Sequence, residues 1–226
     1  MSIAESYRRL RAEIPSHVTI VLAAKTRTAD EVREAIAAGA TDIGYNYVQE
    51  AAAMRAALGA EAGALRWHLI GRLQSNKINK ALALFDVFQT VEGDAQAADI
   101  ARRAAAAGKT PLPVLLEVNS AREPAKSGLP PDLEAVERAA AAVSALPALT
   151  LKGLMTMGPA DADGSQLRPF FHTTRLLFEG LCSRCPALAL DTLSMGMSDS
   201  YREAIEEGAT MVRVGTLVFG ERPARA

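Results

Sequence analysis

Residues Val18–Tyr45 read VTIVLAAKTRTADEVREAIAAGATDIGY, a stretch that alternates between two kinds of local structure. The apolar run Val18–Ala24 predicts a strand buried on both faces, Ala29–Ala38 predicts a helix, and Asp42–Tyr45 predicts a second strand. Gly39 stands between the helix and the second strand, where a left-handed residue commonly ends a helix. The stretch therefore predicts a strand–helix–strand unit with parallel strands.

The same alternation continues along the chain. Further strands are predicted at Trp67–Gly71, Phe85–Thr90, Pro113–Asn119, Leu149–Met157, Leu190–Met195 and Met211–Gly215. Further helices are predicted at Val48–Leu58, Ser75–Leu84, Asp94–Ala107, Pro131–Ala145, Leu167–Leu181 and Asp199–Glu207, and an amphipathic helix is predicted within Met1–Ile14. Eight strands in 226 residues favour an α/β fold, a closed (β/α)₈ TIM barrel of one domain over residues 1–226 with an extra N-terminal helix. A doubly wound open sheet is the alternative, although no Gly-rich turn follows the first strand.

Composition excludes several classes of protein. The chain is 49% hydrophobic, and 25 Lys and Arg residues against 26 Asp and Glu residues give a formal charge of −1. That balance lacks the broad positive surface of a nucleic-acid-binding protein, and no apolar run approaches the roughly 18 to 20 residues of a membrane span. Cys182 and Cys185 form a C-x-x-C pair without the second pair that structural zinc needs. We therefore expect a cytoplasmic protein with no metal, no nucleic-acid partner and no membrane partner.

Lys25 directly follows the first predicted strand. In a barrel, functional side chains gather where strands end and helices begin, and partial burial there favours an uncharged lysine amine. Such an amine can form a Schiff base with an aldehyde. The alternative is a solvated lysine at a strand end.

Two turns near the C-terminus have the features of an anion site. Residues Ser194–Ser200 read SMGMSDS, and Ser198, Asp199 and Ser200 are all suited to cap the N-terminus of a helix. Ser200 with Glu203 fits a capping box. Arg213–Thr216 adds a second glycine-containing turn, and the loops after strands seven and eight often bind phosphate in this fold. The alternative is a pair of well-capped turns that bind nothing.

Closure of the barrel would place Lys25 beside these turns, because strand eight neighbours strand one. An aldehyde-reactive amine next to a phosphate site suggests pyridoxal 5′-phosphate (PLP). Arg213 projects from strand eight and is a candidate partner for the ring nitrogen. Since an arginine keeps its proton, this partner would leave the ring nitrogen unprotonated and the ring a weak electron sink.

Five segments carry a resemblance to a known family. They are AAKTRTADEVREAIAAGATDIGYNYVQEA from Ala23, WHLIGRLQSNK from Trp67, LLEVNSAREPAKSG from Leu115, LKGLMTMG from Leu151 and LSMGMSDSYREAIEEGATMVRVGTLVFGER from Leu193. In this order they resemble the YggS/PROSC family of pyridoxal 5′-phosphate homeostasis proteins. The resemblance implies a single barrel like the alanine racemase N-terminal domain, which binds PLP without an established catalytic turnover.

The resemblance also implies roles for individual residues. Lys25 corresponds to the Schiff-base lysine, Asn46 to a residue beside the cofactor, Met155 to a residue lining the ring, Ser198, Gly215 and Thr216 to the phosphate donors, and Arg213 to the ring-nitrogen partner. Two positions depart from the family pattern, because Tyr45 replaces its usual glutamate and Ala24 replaces a frequent serine. Lys126, in AKSG, is an open candidate for a second PLP-reactive lysine.

Two functions remain open from the sequence. The first is a non-catalytic monomeric carrier that holds PLP and exchanges it with PLP-dependent apo-enzymes. The second is a PLP-dependent amino-acid racemase of the alanine racemase fold, which needs a base on each face of the substrate. The sequence ends ten residues after Thr216, so we expect no C-terminal β domain and favour the carrier.

Overall fold

Strands and helices alternate throughout the computed structural model, which describes residues 1–124, 126–159, 162 and 164–221. The strands are β1 (Thr19–Ala23), β2 (Asp42–Tyr45), β3 (Arg66–Leu69), β4 (Val87–Val91), β5 (Leu112–Glu117), β6 (Leu149–Met155), β7 (Thr192–Ser194) and β8 (Met211–Val214). The α-helices are α1 (Ile3–Glu13), α2 (Ala29–Ala37), α3 (Val48–Leu58), α4 (Ile78–Leu84), α5 (Asp94–Ala106), α6 (Leu133–Ser144), α7 (Gly164–Arg184), α8 (Tyr201–Glu206) and α9 (Thr216–Phe219). Short 3₁₀ helices lie at Gly59–Ala64, Ser75–Lys77 and Pro186–Leu188.

The strands close into a barrel. Each strand pairs in parallel with its neighbours in the chain, and β8 pairs in parallel with β1, with Val21 opposite Arg213. This topology confirms the predicted (β/α)₈ barrel and excludes the open sheet. It also places the carboxyl ends of all eight strands at one mouth.

Element boundaries differ from the predicted ones where polar or turn residues interrupt the pattern. The helix predicted from Ser75 begins as the 3₁₀ turn Ser75–Lys77 and becomes α-helical only at Ile78. The helix predicted from Asp199 begins at Tyr201, because Met197–Ser200 form a separate hydrogen-bonded turn. Helix α7 extends beyond the predicted Leu167–Leu181 at both ends.

Apolar side chains fill two layers, one between the strands and the helices and one inside the barrel. Trp67, Phe85 and Phe171 are buried in the layer between the strands and the surrounding helices. The interior of the barrel carries polar side chains as well as apolar ones. Gln89 of β4 contacts both Ser194 of β7 and Met211 of β8, and contacts between strands so far apart must cross the interior.

Helix α1 completes the outer ring of helices. Helix α9, after the last strand, has only four residues, and α1 packs against both α9 and α2. Tyr201 of α8 donates a hydrogen bond to Glu13 of α1 at 2.6 Å, and Glu34 of α2 accepts one from the Ala4 N–H at 3.0 Å. The predicted N-terminal amphipathic helix is thus confirmed, with Tyr7 on its buried face.

No helix in the described ranges combines the length and the apolar character that crossing a bilayer would require.

Candidate functional site

A cavity of about 260 Å³ opens at the carboxyl ends of the strands. Six of the seven site residues predicted from the sequence line it: Lys25, Asn46, Ser198, Arg213, Gly215 and Thr216. The other lining residues are Ala23, Arg27, Ile70, Met157, Met197 and Asp199. The cavity therefore brings together a lysine amine, a guanidinium group and the two C-terminal turns.

The lysine lies in a tight connection at the end of β1. Lys25 is half-buried, and Thr26 after it adopts φ +66°, a left-handed conformation that is rare for a β-branched residue. A Cβ atom on Gly215 would lie only 3.0 Å from the carbonyl oxygen of Ala23. The turn after β8 can therefore approach the chain that leads to Lys25 because its residue 215 is glycine.

Arg27 fixes the other side of this connection. Its Nη1 donates to the carbonyl oxygen of Phe219 at 3.0 Å, and its Nη2 donates to that of Glu221 at 3.1 Å. Its guanidinium also lies over the Phe219 ring, 5.6 Å from the centroid. Arg27 thereby ties the residues after Lys25 to the end of α9.

Ser198 and Gly215 join the two predicted phosphate-binding turns. The Oγ atom of Ser198 accepts a hydrogen bond from the backbone N–H of Gly215 at 3.0 Å. The predicted capping box of Ser200 with Glu203 is wrong. The Oγ atom of Ser200 accepts instead from the Met197 N–H at 3.1 Å and donates to a carboxylate oxygen of Asp199 at 2.9 Å.

Arg213 is buried at the floor of the cavity. Its Nη1 donates to Ser194 Oγ at 2.6 Å, and its Nη2 donates to the carbonyl oxygen of Thr156 at 2.8 Å. Burial lowers the pKa of Arg213 to about 10, and the carboxylate of Glu117 opposes that shift. The guanidinium group is therefore still protonated at neutral pH, as the sequence argument required.

Asn46 occupies its place because of a glycine on the next strand connection. A Cβ atom on Gly71 would lie 2.5 Å from the carbonyl oxygen of Asn46 and 2.6 Å from its Cα. Any larger residue at position 71 would push the Asn46 backbone away. The strand-end glycine thus sets the position of a cavity-lining side chain.

Tyr45, the departure from the family pattern, lies outside the cavity. Its ring stacks on Trp67 with centroids 5.8 Å apart, in the layer between strands and helices. Burial, with a further effect of Glu50, raises the pKa of Tyr45 well above its usual value. Tyr45 therefore packs behind Asn46 and adds no group to the cavity.

Two other predicted residues lie apart from the cavity lining. Met155 is fully buried in the barrel, while Met157 lines the cavity, so the role of Met155 beside the ring stays a prediction. The ammonium group of Lys126 donates to Glu123 Oε1 at 2.9 Å and to the carbonyl oxygen of Gly158 at 2.8 Å. These contacts hold Lys126 in the loop after β5.

Glu117 is an ionisable group near the cavity that the sequence did not single out as functional. It ends β5, and its Oε2 atom is buried without a hydrogen-bond partner among the described residues. Burial raises the pKa of Glu117 to about 7, the nearby Glu92 adds to the shift, and Arg213 opposes it. Glu117 therefore changes charge close to neutral pH.

Neither the two cysteines nor His68 of β3 lies in a cluster of metal ligands among the described residues. Cys182 and Cys185 are both free thiols, and the described residues contain no cluster of three or more His, Cys, Asp or Glu side chains that could hold a metal. His68 is buried and hydrogen-bonded to Asp42 and Gln89. His68 is therefore held in place by hydrogen bonds inside the barrel.

Several residues that line the cavity or contact Arg213 were not predicted, because their sequence signals are weak. Met157 and Met197 lie in segments from which Met155 and Ser198 were predicted, whereas Ile70 lies in a segment from which no site residue was predicted. Arg27 could have been found from its place two residues after Lys25. Ser194 and Thr156 could not, because short polar residues at strand ends are common.

Comparison with known proteins shows the family to which the chain belongs. Residues 1–223 match the model of the alanine racemase N-terminal domain family, and the chain belongs to this family. A pyridoxal phosphate homeostasis protein from Pseudomonas aeruginosa is 40% identical over 98% of this chain and 96% of its own length. Within the wider fold family, the chain therefore belongs to the pyridoxal phosphate homeostasis proteins.

Solved structures agree with this assignment. The structure of PipY from Synechococcus elongatus PCC7942 with PLP bound has a TM-score of 0.88, with 36% identity over 97% of this chain and 100% of that chain. An alanine racemase from Clostridium difficile has a TM-score of 0.80 but only 13% identity, over 99% of this chain and 57% of the racemase. The likeness to the racemase shows the shared fold alone.

Proposed function

We propose that this protein is a carrier of pyridoxal 5′-phosphate that takes part in PLP homeostasis. One observation carries the proposal: Lys25, Arg213 and the two turns around Ser198 and Gly215 line the same cavity. The presence of PLP in the structure of PipY, which is 36% identical, supports the choice of ligand.

The side chains of the cavity fit this ligand. PLP supplies an aldehyde that condenses with a lysine amine, together with a phosphate and a ring nitrogen that each need a partner. Lys25 would hold the aldehyde carbon, and Ser198, Gly215 and Thr216 would donate to the phosphate. Arg213 would donate a hydrogen bond to the ring nitrogen, and Asn46 would lie beside the ring.

The charge of Arg213 limits the carbanion chemistry that PLP could carry out in this cavity. Because this group keeps its proton at neutral pH, the ring nitrogen would accept a hydrogen bond and stay unprotonated. An unprotonated ring stabilises substrate carbanions poorly, which suits a protein that holds and releases PLP. The name of the relative from Pseudomonas aeruginosa, which is 40% identical, supports this choice over a racemase.

The first experiment tests the lysine. Wild-type protein mixed with PLP should develop the visible absorbance band of lysine-bound PLP, and Lys25→Ala should lose it. Lys126→Ala is the matched control and should keep the band, because the ammonium group of Lys126 is held by Glu123 and Gly158. Borohydride reduction followed by peptide mapping identifies the modified lysine, and a full band in Lys25→Ala would refute its role.

The second experiment tests the carrier. PLP-loaded protein should restore activity to a PLP-dependent apo-enzyme. Light scattering should give the molar mass of a monomer. Incubation with L-amino acids should yield no turnover by chiral chromatography. Steady accumulation of a D-amino acid would contradict the carrier function and favour the racemase. Cell fractionation tests the expected cytoplasmic location.

A further inference from the structure

A continuous hydrogen-bonded chain of side chains crosses the interior of the barrel. Arg213 Nη1 donates to Ser194 Oγ at 2.6 Å, and Ser194 Oγ donates to Gln89 Oε1 at 2.7 Å. Gln89 Nε2 lies 2.9 Å from His68 Nδ1, and His68 Nε2 lies 2.8 Å from Asp42 Oδ1. We call these five side chains the interior chain. All five are buried, and they come from five different strands.

The protons of the interior chain run in one direction. An arginine can only donate, so Ser194 accepts from Arg213 and gives its single proton to the Oε1 atom of Gln89. The amide of Gln89 then presents its NH₂ group to His68, whose Nδ1 atom must accept. The Nε2–H of His68 is left to donate to Asp42, and every link has a donor and an acceptor.

Asp42, at the opposite end of the interior chain from Arg213, fixes this order of donors and acceptors. Although burial alone raises its pKa, hydrogen bonds from His68, Thr41 and Arg66 outweigh burial and bring the pKa of Asp42 to about 2. An ionised carboxylate requires the donor form of His68 Nε2. Rotating the amide of Gln89 by half a turn would present oxygen to His68 and break the sequence of donors.

The surroundings of His68 keep its ring neutral, so the interior chain carries charge only at its two ends, Arg213 and Asp42. Burial lowers the pKa of His68, while the hydrogen bond to Asp42 opposes that shift. The neutral ring has one donor and one acceptor nitrogen, which is what the interior chain needs. A protonated ring would repel the NH₂ group of Gln89.

The interior chain ends at Arg213, the proposed partner of the PLP ring nitrogen. Arg213 lines the cavity, and its guanidinium group donates to Ser194 Oγ and to the carbonyl oxygen of Thr156. Two acceptors fix the plane of a guanidinium group. We propose that Ser194 and Gln89 are positioning residues for PLP, which act through Arg213 by holding its guanidinium plane toward the ring nitrogen. This inference rests on the proposed function.

The test compares Ser194→Ala with Ser194→Thr and with a distant buried hydroxyl. Thr174, on α7, is buried and donates to the carbonyl oxygen of Phe170, so Thr174→Val removes a buried hydroxyl away from the barrel interior. Each purified protein is loaded with PLP. The wavelength of the lysine-bound band and the rate of PLP dissociation are measured, and thermal unfolding reports stability.

We expect Ser194→Ala and Gln89→Leu to shift the band and to release PLP about tenfold faster, because a hydrogen bond to a charged group is lost. Ser194→Thr keeps the hydroxyl and should restore both readouts. Thr174→Val should lower stability without changing either. Dissociation within about twofold of wild type and an unshifted band in Ser194→Ala would overturn the positioning role.

A second readout separates this inference from the proposed function. Nitrogen-15 NMR of arginine-labelled protein without PLP should show resolved Nη signals for Arg213, assigned with Arg213→Lys, and their averaging in Ser194→Ala. If wild-type protein forms no band with PLP, the proposed function fails and the role toward the ring fails with it. Unchanged Arg213 signals in Ser194→Ala would overturn the positioning alone.

Discussion

The hydroxyl oxygen of Ser198 lies 3.0 Å from the backbone nitrogen of Gly215, and this hydrogen bond joins the turn after β7 to the turn after β8. Both groups are predicted phosphate donors, and the Gly215 N–H would exchange Ser198 Oγ for a phosphate oxygen when the anion binds. We expect Ser198→Ala to weaken PLP binding about tenfold, because one hydrogen bond to a charged phosphate is lost. Equilibrium dialysis with PLP measures the effect.

Ser144→Ala is the control for this change. The Oγ atom of Ser144 donates to the carbonyl oxygen of Ala140 on α6, away from the cavity. The control should bind PLP as wild type does. Equal affinity in Ser198→Ala and the control would place the phosphate elsewhere.

Gly71→Ala should disturb the cavity through Asn46. The added Cβ atom would lie 2.5 Å from the Asn46 carbonyl oxygen, so the backbone must shift, at a cost of about 1–3 kcal/mol in the free energy of unfolding. We expect a lower midpoint in urea and weaker PLP retention. Gly63→Ala is the matched control, because a Cβ atom there meets nothing within 4 Å. Similar midpoints for both variants would contradict the steric argument.

Glu117 should make stability depend on pH near neutrality. Burial raises its pKa to about 7 in the folded state, from an ordinary 4.5, so the folded protein holds an extra proton between these values. The free energy of unfolding therefore falls as pH rises from about 4.5 to 7. Glu117→Gln should flatten this slope in urea titrations at several pH values. A slope equal to that of wild type would show that Glu117 is not its source.

Arg27→Ala should loosen the end of α9. The variant loses hydrogen bonds to the Phe219 and Glu221 carbonyl oxygens and the contact with the Phe219 ring. We expect faster amide hydrogen exchange at 216–220 and a lower affinity for PLP. Arg33, which pairs with the exposed Asp30 and Glu61, offers the control Arg33→Ala, in which exchange at 216–220 should not change. Equal exchange in both variants would contradict an anchoring role.

The strand order could be read from the sequence because apolar runs and helix-ending glycines recur along it. Closure of the barrel then sufficed to bring Lys25 beside Gly215, although they are far apart in the chain. The interior chain could not be read in this way. Gln89 and Ser194 lie on β4 and β7, and only the diameter and register of the folded barrel show that they meet.

Local side-chain choices were also beyond the sequence. Ser200 and Glu203 have the spacing of a capping box, but the Ser200 hydroxyl accepts a hydrogen bond from the Met197 N–H instead. Tyr45 stood out as a departure beside Asn46, yet strand alternation turns it toward Trp67. Competition between hydrogen-bond partners decided the first outcome, and the direction of the side chain from its strand decided the second.

Helix α1 precedes β1 in the chain but packs beside α9, which follows β8. During translation the contact of α1 with α2 can form early, but its contact with α9, which closes the outer ring of helices, can form only after β8 has been made. A circular permutant that joins α1 behind α9 would turn this long-range contact into a local one. Such a rearranged chain should complete its fold faster than the natural order allows.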